Sequence, residues 1–120
     1  MSEYILELPW PPSVNGYWKP IGGRLLISKK GRQYRKDVVT LMALKKLFGQ
    51  NLTGRLSVFM ELHPPTLRKY DIDNRCKAVF DALSHAEFWQ DDELIDQLTV
   101  IKRPKVRGGK IILHITQIPV

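Results

Sequence analysis

Short apolar stretches predict four β-strands in this chain. They cover residues 4–8, 55–62, 94–101 and 110–115. Pro9 ends the first and Pro64 the second, because proline lacks the amide donor that a strand ladder needs. Gly22 and Gly23 lie between two short segments, at 19–21 and 24–27, and predict a small hairpin with these segments as its arms.

Two segments between the strands have helical periodicity instead. Residues 31–48 repeat apolar side chains three and four apart, with Ser28 as a helix start and Gly49 as a stop. A second helix is predicted over residues 73–85. Its apolar stripe is Ile72, Cys76, Val79, Phe80 and Leu83.

The order of these elements predicts the fold class. Read along the chain it is β-(hairpin)-α-β-α-β-β, which is typical of a small mixed α/β domain of the α+β class. At 120 residues the chain is long enough for one domain with its own core, spanning residues 1–120. The glycine-bearing turn at 104–109 favours an antiparallel hairpin between the last two strands.

Charge and composition narrow the possible partners. The chain has a net charge of +7 and a pI near 9.7, which favours an acidic partner such as nucleic acid over a merely soluble basic protein. The single Cys76 and three scattered histidines offer no zinc spacing. No signal peptide or membrane-spanning run is present, so we expect a cytoplasmic protein with no membrane partner and no small-molecule cofactor.

The acidic residues are concentrated in one stretch. Eight of the twelve acidic residues lie in residues 71–96, where only two residues are basic. The net charge of this stretch is therefore −6, and that of the remaining residues is +13. Carboxylates surrounded by positive charge suit a divalent cation whose substrate is a polyanion. A solvated acidic face would give the same count.

Spacing suggests which carboxylates could act together. Asp71 and Asp73 straddle the predicted start of the second helix, and Asp73 lies one turn before Lys77. The pair Asp91 and Asp92 precedes the next strand and can return beside them, so three carboxylates could hold Mg²⁺ while Lys77 faces the phosphate. Simpler alternatives are a helix cap at Asp71 or Asp73, an Asp73–Lys77 ion pair, and a solvated loop at 91–93.

Three motifs follow one another along the chain: residues 8–15 (LPWPPSVN), residues 71–74 (DIDN) with Lys77 and 80–83 (FDAL), and residues 88–92 (FWQDD). Together they resemble the RusA family of Holliday-junction resolvases. The resemblance spans nearly the whole chain. It departs from the family pattern at Tyr70, where the best-known form has arginine, and in the short basic run Arg68–Lys69.

This resemblance implies a homodimeric, Mg²⁺-dependent endonuclease, with Mn²⁺ able to substitute, that cuts opposed strands of four-way junction DNA. Matched by position, the family's metal-binding aspartates fall on Asp71, Asp73 and Asp92, and its essential lysine on Lys77. The expected DNA contacts are Ser13, Asn15, Arg68, Lys69 and Lys77. The dimer interface is expected at a strand edge or near Phe88 and Trp89.

Two other functions would account for the same residues. A non-enzymatic DNA-binding module would use its acids only to cap and solvate, and would bind DNA without Mg²⁺-stimulated scission. A metal nuclease of another class would act on RNA or simple flaps and would cut substrates that lack a four-way centre.

Overall fold

The computed structural model describes residues 3–119 as one mixed α/β domain, in agreement with the predicted class. In chain order its elements are β1 (Glu3–Leu8), a one-turn helix α1 (Val14–Tyr17), β2 (Trp18–Ile21), β3 (Arg24–Ile27), α2 (Lys29–Leu44), β4 (Leu56–His63), α3 (Cys76–His85), a 3₁₀ helix (Asp92–Leu94), β5 (Ile95–Lys102) and β6 (Lys110–Gln117). The predicted hairpin at Gly22 and Gly23 is confirmed as β2–β3.

The main sheet has the strand order β1-β6-β4-β5. β4 pairs parallel with β5 and antiparallel with β6, so the predicted β5–β6 hairpin is wrong. The connection between β5 and β6 crosses the end of β4, where the Arg103 amide donates to the Leu62 carbonyl at 2.8 Å. The central position buries the apolar alternate residues of β4, whereas β5, at the edge of the sheet, stays largely exposed.

Both long helices cover the same face of this sheet. Alternate residues of β1, β4 and β6 are at most 1% exposed there, among them Leu6, Met60 and Leu113. The opposite face carries half-buried and exposed side chains such as Ile5. Phe88 and Trp89 are 0% and 1% exposed, so their side chains belong to the core of the domain.

Helix α2 begins as predicted and ends early. The Ser28 hydroxyl accepts a hydrogen bond from the Gly31 amide at 3.0 Å. Gly31 is required because a Cβ there would lie 2.5 Å from the Tyr17 carbonyl oxygen. The predicted end near residue 48 is wrong: Lys46 adopts a φ of 60°, and the Leu47 amide closes onto the Met42 carbonyl. Among residues 3–119, no helix is long and apolar enough to cross a membrane.

Candidate active site

Residues 71–75 form a turn rather than the first turn of α3, and we call this segment the acidic turn. The Asn74 amide donates to the Asp71 carbonyl, and the helix begins only at Cys76, not at residue 73. Asp73 is therefore outside the helix, and in the described residues Lys77 pairs with Asp92 rather than with Asp73. Ile72 is 42% exposed and does not belong to the buried stripe.

The same geometry removes one simple alternative for the two aspartates. The N-cap of α3 is Arg75, which makes no side-chain capping bond, so neither Asp71 nor Asp73 caps the helix. Both aspartates are exposed. Within residues 3–119, neither side chain forms an ion pair or accepts a hydrogen bond. Their carboxylates are therefore free to bind a ligand.

The proline-tryptophan loop, residues 9–15, is fastened to the acidic turn. The Val14 amide donates to the Asn74 carbonyl at 3.0 Å, and Arg75 Nη1 donates to the Pro11 carbonyl at 2.8 Å. The Arg75 guanidinium also lies 5.2 Å from the centre of the Trp10 ring. These contacts join two segments that lie 60 positions apart in sequence. They also hold the Trp10 ring against Arg75, so the ring is packed rather than free to stack on a base.

Tyr70 holds the other end of the acidic turn. Its ring lies edge-on to Trp10 at 5.5 Å, and Lys102 Nζ lies 4.3 Å from the ring centre. The same ammonium donates to the Tyr70 carbonyl at 2.7 Å. Burial raises the pKa of the Tyr70 hydroxyl, which has no hydrogen-bond partner in the described residues. The tyrosine that departs from the family pattern therefore positions the turn and recruits a cation from the end of β5.

A basic groove of about 580 Å³ runs beside the acidic turn. It is lined by Ser13, Lys69, Tyr70, Asp71, Asn74, Arg75 and Lys102. Arg68 and Lys69 also line an adjoining groove with Trp10 and Tyr70. A carboxylate thus lies among cations that can bind phosphate oxygens.

Ser13 and Asn15, the predicted DNA contacts in the loop, are separated by the structure. The Ser13 hydroxyl accepts from the Gly16 amide at 3.2 Å, capping α1, while its residue remains in the wall of the basic groove. Asn15 is exposed and lines a different, apolar groove with Trp18 and Leu25. Ser13 is therefore placed beside the acidic turn and Asn15 is not.

The second acidic pair divides into two roles. Asp91 is the N-cap of the 3₁₀ helix and accepts from the Glu93 amide. Asp92 turns the other way and accepts a hydrogen bond from Lys77 Nζ at 2.8 Å. The structure therefore joins Lys77 with Asp92 and gives Asp91 a capping role.

The donor chemistry of these aspartates suits Mg²⁺, which takes oxygen ligands and is commonly held by one or two carboxylates together with substrate phosphates. Within residues 3–119, no three Asp, Glu, His or Cys side chains form a group that could hold a metal ion. A complete three-carboxylate cage is thus not preformed, and the ligand set Asp71, Asp73 and Asp92 stays a prediction.

A hydrogen-bonded cluster that the sequence did not indicate joins α3 to α1 and α2. Tyr17, which is fully buried, donates its hydroxyl proton to Asp81, and Arg35 Nε donates to the same carboxylate at 2.8 Å. Burial, reinforced by the Asp81 carboxylate, raises the pKa of Tyr17. Because Tyr17, Arg35 and Asp81 lie far apart in sequence, no periodicity could have brought them together in advance.

This cluster gives a stability prediction. Asp81→Ala leaves the Tyr17 hydroxyl and the Arg35 guanidinium without their acceptor, and should lower the free energy of unfolding by about 1–3 kcal/mol. Tyr17→Phe removes a hydroxyl that donates to Asp81 and accepts from Arg35 Nε, but it leaves the Arg35–Asp81 pair intact, so it should cost less. Urea denaturation followed by circular dichroism measures both, and an unchanged midpoint for Asp81→Ala would contradict the assignment.

Comparison with known proteins agrees with the resemblance of the motifs. The sequence profile of the family described as Endodeoxyribonuclease RusA matches residues 9–116. A relative from Enterobacteria phage HK97, a crossover junction endodeoxyribonuclease, is 41% identical over 118 residues, covering 98% of each chain. An enzyme of that name from Escherichia coli O139:H28 is 39% identical, over 98% of this chain and 98% of its own. Another, from Shigella sonnei, is 40% identical, over 98% of this chain and 97% of its own. The chain belongs to the RusA endodeoxyribonuclease family.

Proposed function

We propose that this protein is a crossover junction endodeoxyribonuclease, which as a Mg²⁺-dependent homodimer cuts two opposed strands of a four-way DNA junction. The observation that carries the proposal is the basic groove, where exposed Asp71 lies among Lys69, Arg75 and Lys102. Cations there would hold the phosphate backbone while carboxylates at its edge receive a metal ion. We also propose a cytoplasmic location, where such DNA is available.

The residues of the site would divide the work between binding and chemistry. Lys69 and Lys102 would position the strand through its phosphates without reading its sequence. Asp71, Asp73 and Asp92 would hold Mg²⁺, with Mn²⁺ as a substitute. The chemistry that a bound ion supplies is Lewis-acid activation of water and neutralisation of charge on the phosphate. Lys77, more than half exposed, can turn from Asp92 to the charge developing on the phosphate.

A homodimer would match the symmetry of the substrate. A four-way junction has an approximate two-fold axis, and a dimer with the same symmetry presents one acidic turn to each of two opposed strands. A monomer could only nick one strand at a time. Cuts made in both strands within one complex are therefore the expected mode of action.

One experiment separates this proposal from its rivals. Labelled four-way, flap, duplex and single-stranded DNA, with single-stranded RNA, are each incubated with the protein with and without Mg²⁺. We expect paired cuts in the four-way substrate alone and only when Mg²⁺ is present. Binding without scission would favour a DNA-binding module, and equal cutting of flaps or RNA would favour a nuclease of another class.

A further inference from the structure

The loop between β4 and the acidic turn, residues 64–70, carries one large apolar side chain into solvent. Leu67 is 85% exposed, the highest value among the large hydrophobic residues of the described chain. Its neighbours Thr66 and Arg68 both line the groove that adjoins the basic groove, and Lys69 lines the two grooves. The leucine therefore lies at the rim of the surface proposed for DNA.

This loop is held by contacts on both sides of Leu67. On one side, the Pro64 carbonyl accepts a hydrogen bond from the Val106 amide at 3.0 Å. On the other side, the Tyr70 carbonyl accepts one from Lys102 Nζ at 2.7 Å. Proline also fixes φ, so the chain before Leu67 has little conformational freedom. A side chain mounted in this way is presented to a partner with little further loss of backbone entropy.

The chemistry of leucine restricts what this side chain can do at a DNA surface. It has no hydrogen-bonding group, so it can neither bind phosphate oxygens nor read base edges through hydrogen bonds. An exposed apolar side chain can instead enter between two neighbouring bases, as leucine does in proteins that kink DNA, and its burial there offsets the loss of stacking. Arg68 and Lys69 would hold the phosphates beside that base step.

We propose that Leu67 is a wedge that enters between bases at the branch point of the junction and separates them beside the scissile phosphate. The inference rests on the proposed function and adds a positioning residue to it. Asp71 follows Leu67 by four positions, and four extended residues span at most about 14 Å. Because successive phosphates of one strand are about 3.4 Å apart along the helix axis, the wedge acts within about four nucleotides of Asp71.

A wedge at this position gives a physical reason for a preference for junctions over duplex DNA. In a continuous duplex every base pair is stacked on both sides, so inserting a side chain requires unstacking energy at any step. Base pairs at a branch point are more easily separated, so the same insertion costs less there. Duplex DNA would then bind through its phosphates without any of them being drawn to the acidic turn.

Base separation can be measured without cleavage. A four-way junction carries 2-aminopurine at the branch point, where its fluorescence rises when the base loses a stacking neighbour, and the full-length protein is added to saturation without divalent ions. We expect a rise with wild-type protein and an about fivefold smaller rise with Leu67→Ala, because alanine is too short to separate the bases. Leu67→Met keeps a long apolar side chain and should retain most of the wild-type signal.

Cleavage then shows whether base separation contributes to the reaction. In single turnovers with Mg²⁺, Leu67→Ala should cut a fully paired junction about 10- to 100-fold more slowly than wild type, since a misplaced substrate reacts slowly. A junction with mismatched base pairs at its centre is already open, and on it the variant should come within about threefold of wild type. Such rescue would not follow from a misfolded protein or a damaged metal site.

Leu44→Ala is the matched control, since Leu44 at the end of α2 is also a leucine and is 76% exposed. It should equal wild type in fluorescence and in cleavage. Wild-type fluorescence and cleavage in Leu67→Ala would refute the wedge, and so would slow cleavage of paired and mismatched junctions alike. Failure of the proposed function is a separate result: wild-type protein that raises the fluorescence at the branch point but makes no cut with Mg²⁺. Paired cuts made without any such rise would overturn the wedge alone.

Discussion

Asp73→Asn is expected to abolish junction cleavage at every Mg²⁺ concentration while leaving junction binding intact. The substitution keeps the size of the side chain and removes the negative charge that a hard cation requires. Loss of one such ligand from a metal-assisted phosphodiester hydrolysis should reduce the rate by about 1000-fold or more. Because Asp73 is exposed and makes no hydrogen bond or ion pair in the described residues, the fold should be unaffected.

Two measurements on the same preparation check this expectation. Binding to a labelled four-way junction is measured without divalent ions, and cleavage is then followed as Mg²⁺ is titrated. Asp37→Asn is the matched control, since Asp37 is an exposed aspartate on α2, away from the acidic turn, and its loss should change neither quantity. Cleavage by Asp73→Asn at the wild-type rate would show that the site has been assigned wrongly.

Local patterns in the sequence predicted the elements of this fold well. Period-two and period-four spacing reports which faces of a segment are buried, and those faces are set by the segment itself. The Ser28 cap and the glycine turn at residues 22 and 23 are equally local, because the atoms that interact lie within a few positions. Such features are readable before any tertiary contact is known.

The strand order was not predictable in the same way. Gly108 and Gly109 favour a tight hairpin between β5 and β6, and both adopt positive φ in the turn that precedes β6. The better burial of β4 decides the pairing instead, because its side chains gain more from a central position than a local hairpin would. The turn before β6 therefore forms as its glycines indicate, but burial in the completed fold decides which strands pair.

The candidate site shows the same division between local and distant contacts. The acidic turn, Lys77 and Asp92 could be named from the motifs, but the different roles of Asp91 and Asp92 required the 3₁₀ helix to be seen. The hydrogen bond from Arg75 to the Pro11 carbonyl spans 64 positions, and that from Lys102 to the Tyr70 carbonyl spans 32. Pairings at such distances depend on the completed fold and have no periodic signal in the sequence.

Lys77→Met is expected to reduce junction cleavage by about 100- to 1000-fold, the usual effect of removing one donor that stabilises transition-state charge. Methionine keeps the length of the side chain and removes the ammonium. The ion pair with Asp92 is partly exposed, with 55% of the lysine side chain and 23% of the aspartate side chain accessible, so its loss should cost only about 0–1 kcal/mol of stability. Activity and stability should therefore separate clearly in this variant.

The separation is measured by single-turnover cleavage of a labelled junction together with urea denaturation. Lys45→Met, at the exposed C-terminal end of α2, is the control and should retain both activity and stability. Lys77→Arg preserves the charge and should recover part of the rate, since a guanidinium can still face the phosphate. If Lys77→Met cleaves within threefold of wild type, the lysine serves only to hold Asp92, and the charge on the phosphate must be stabilised from the basic groove instead.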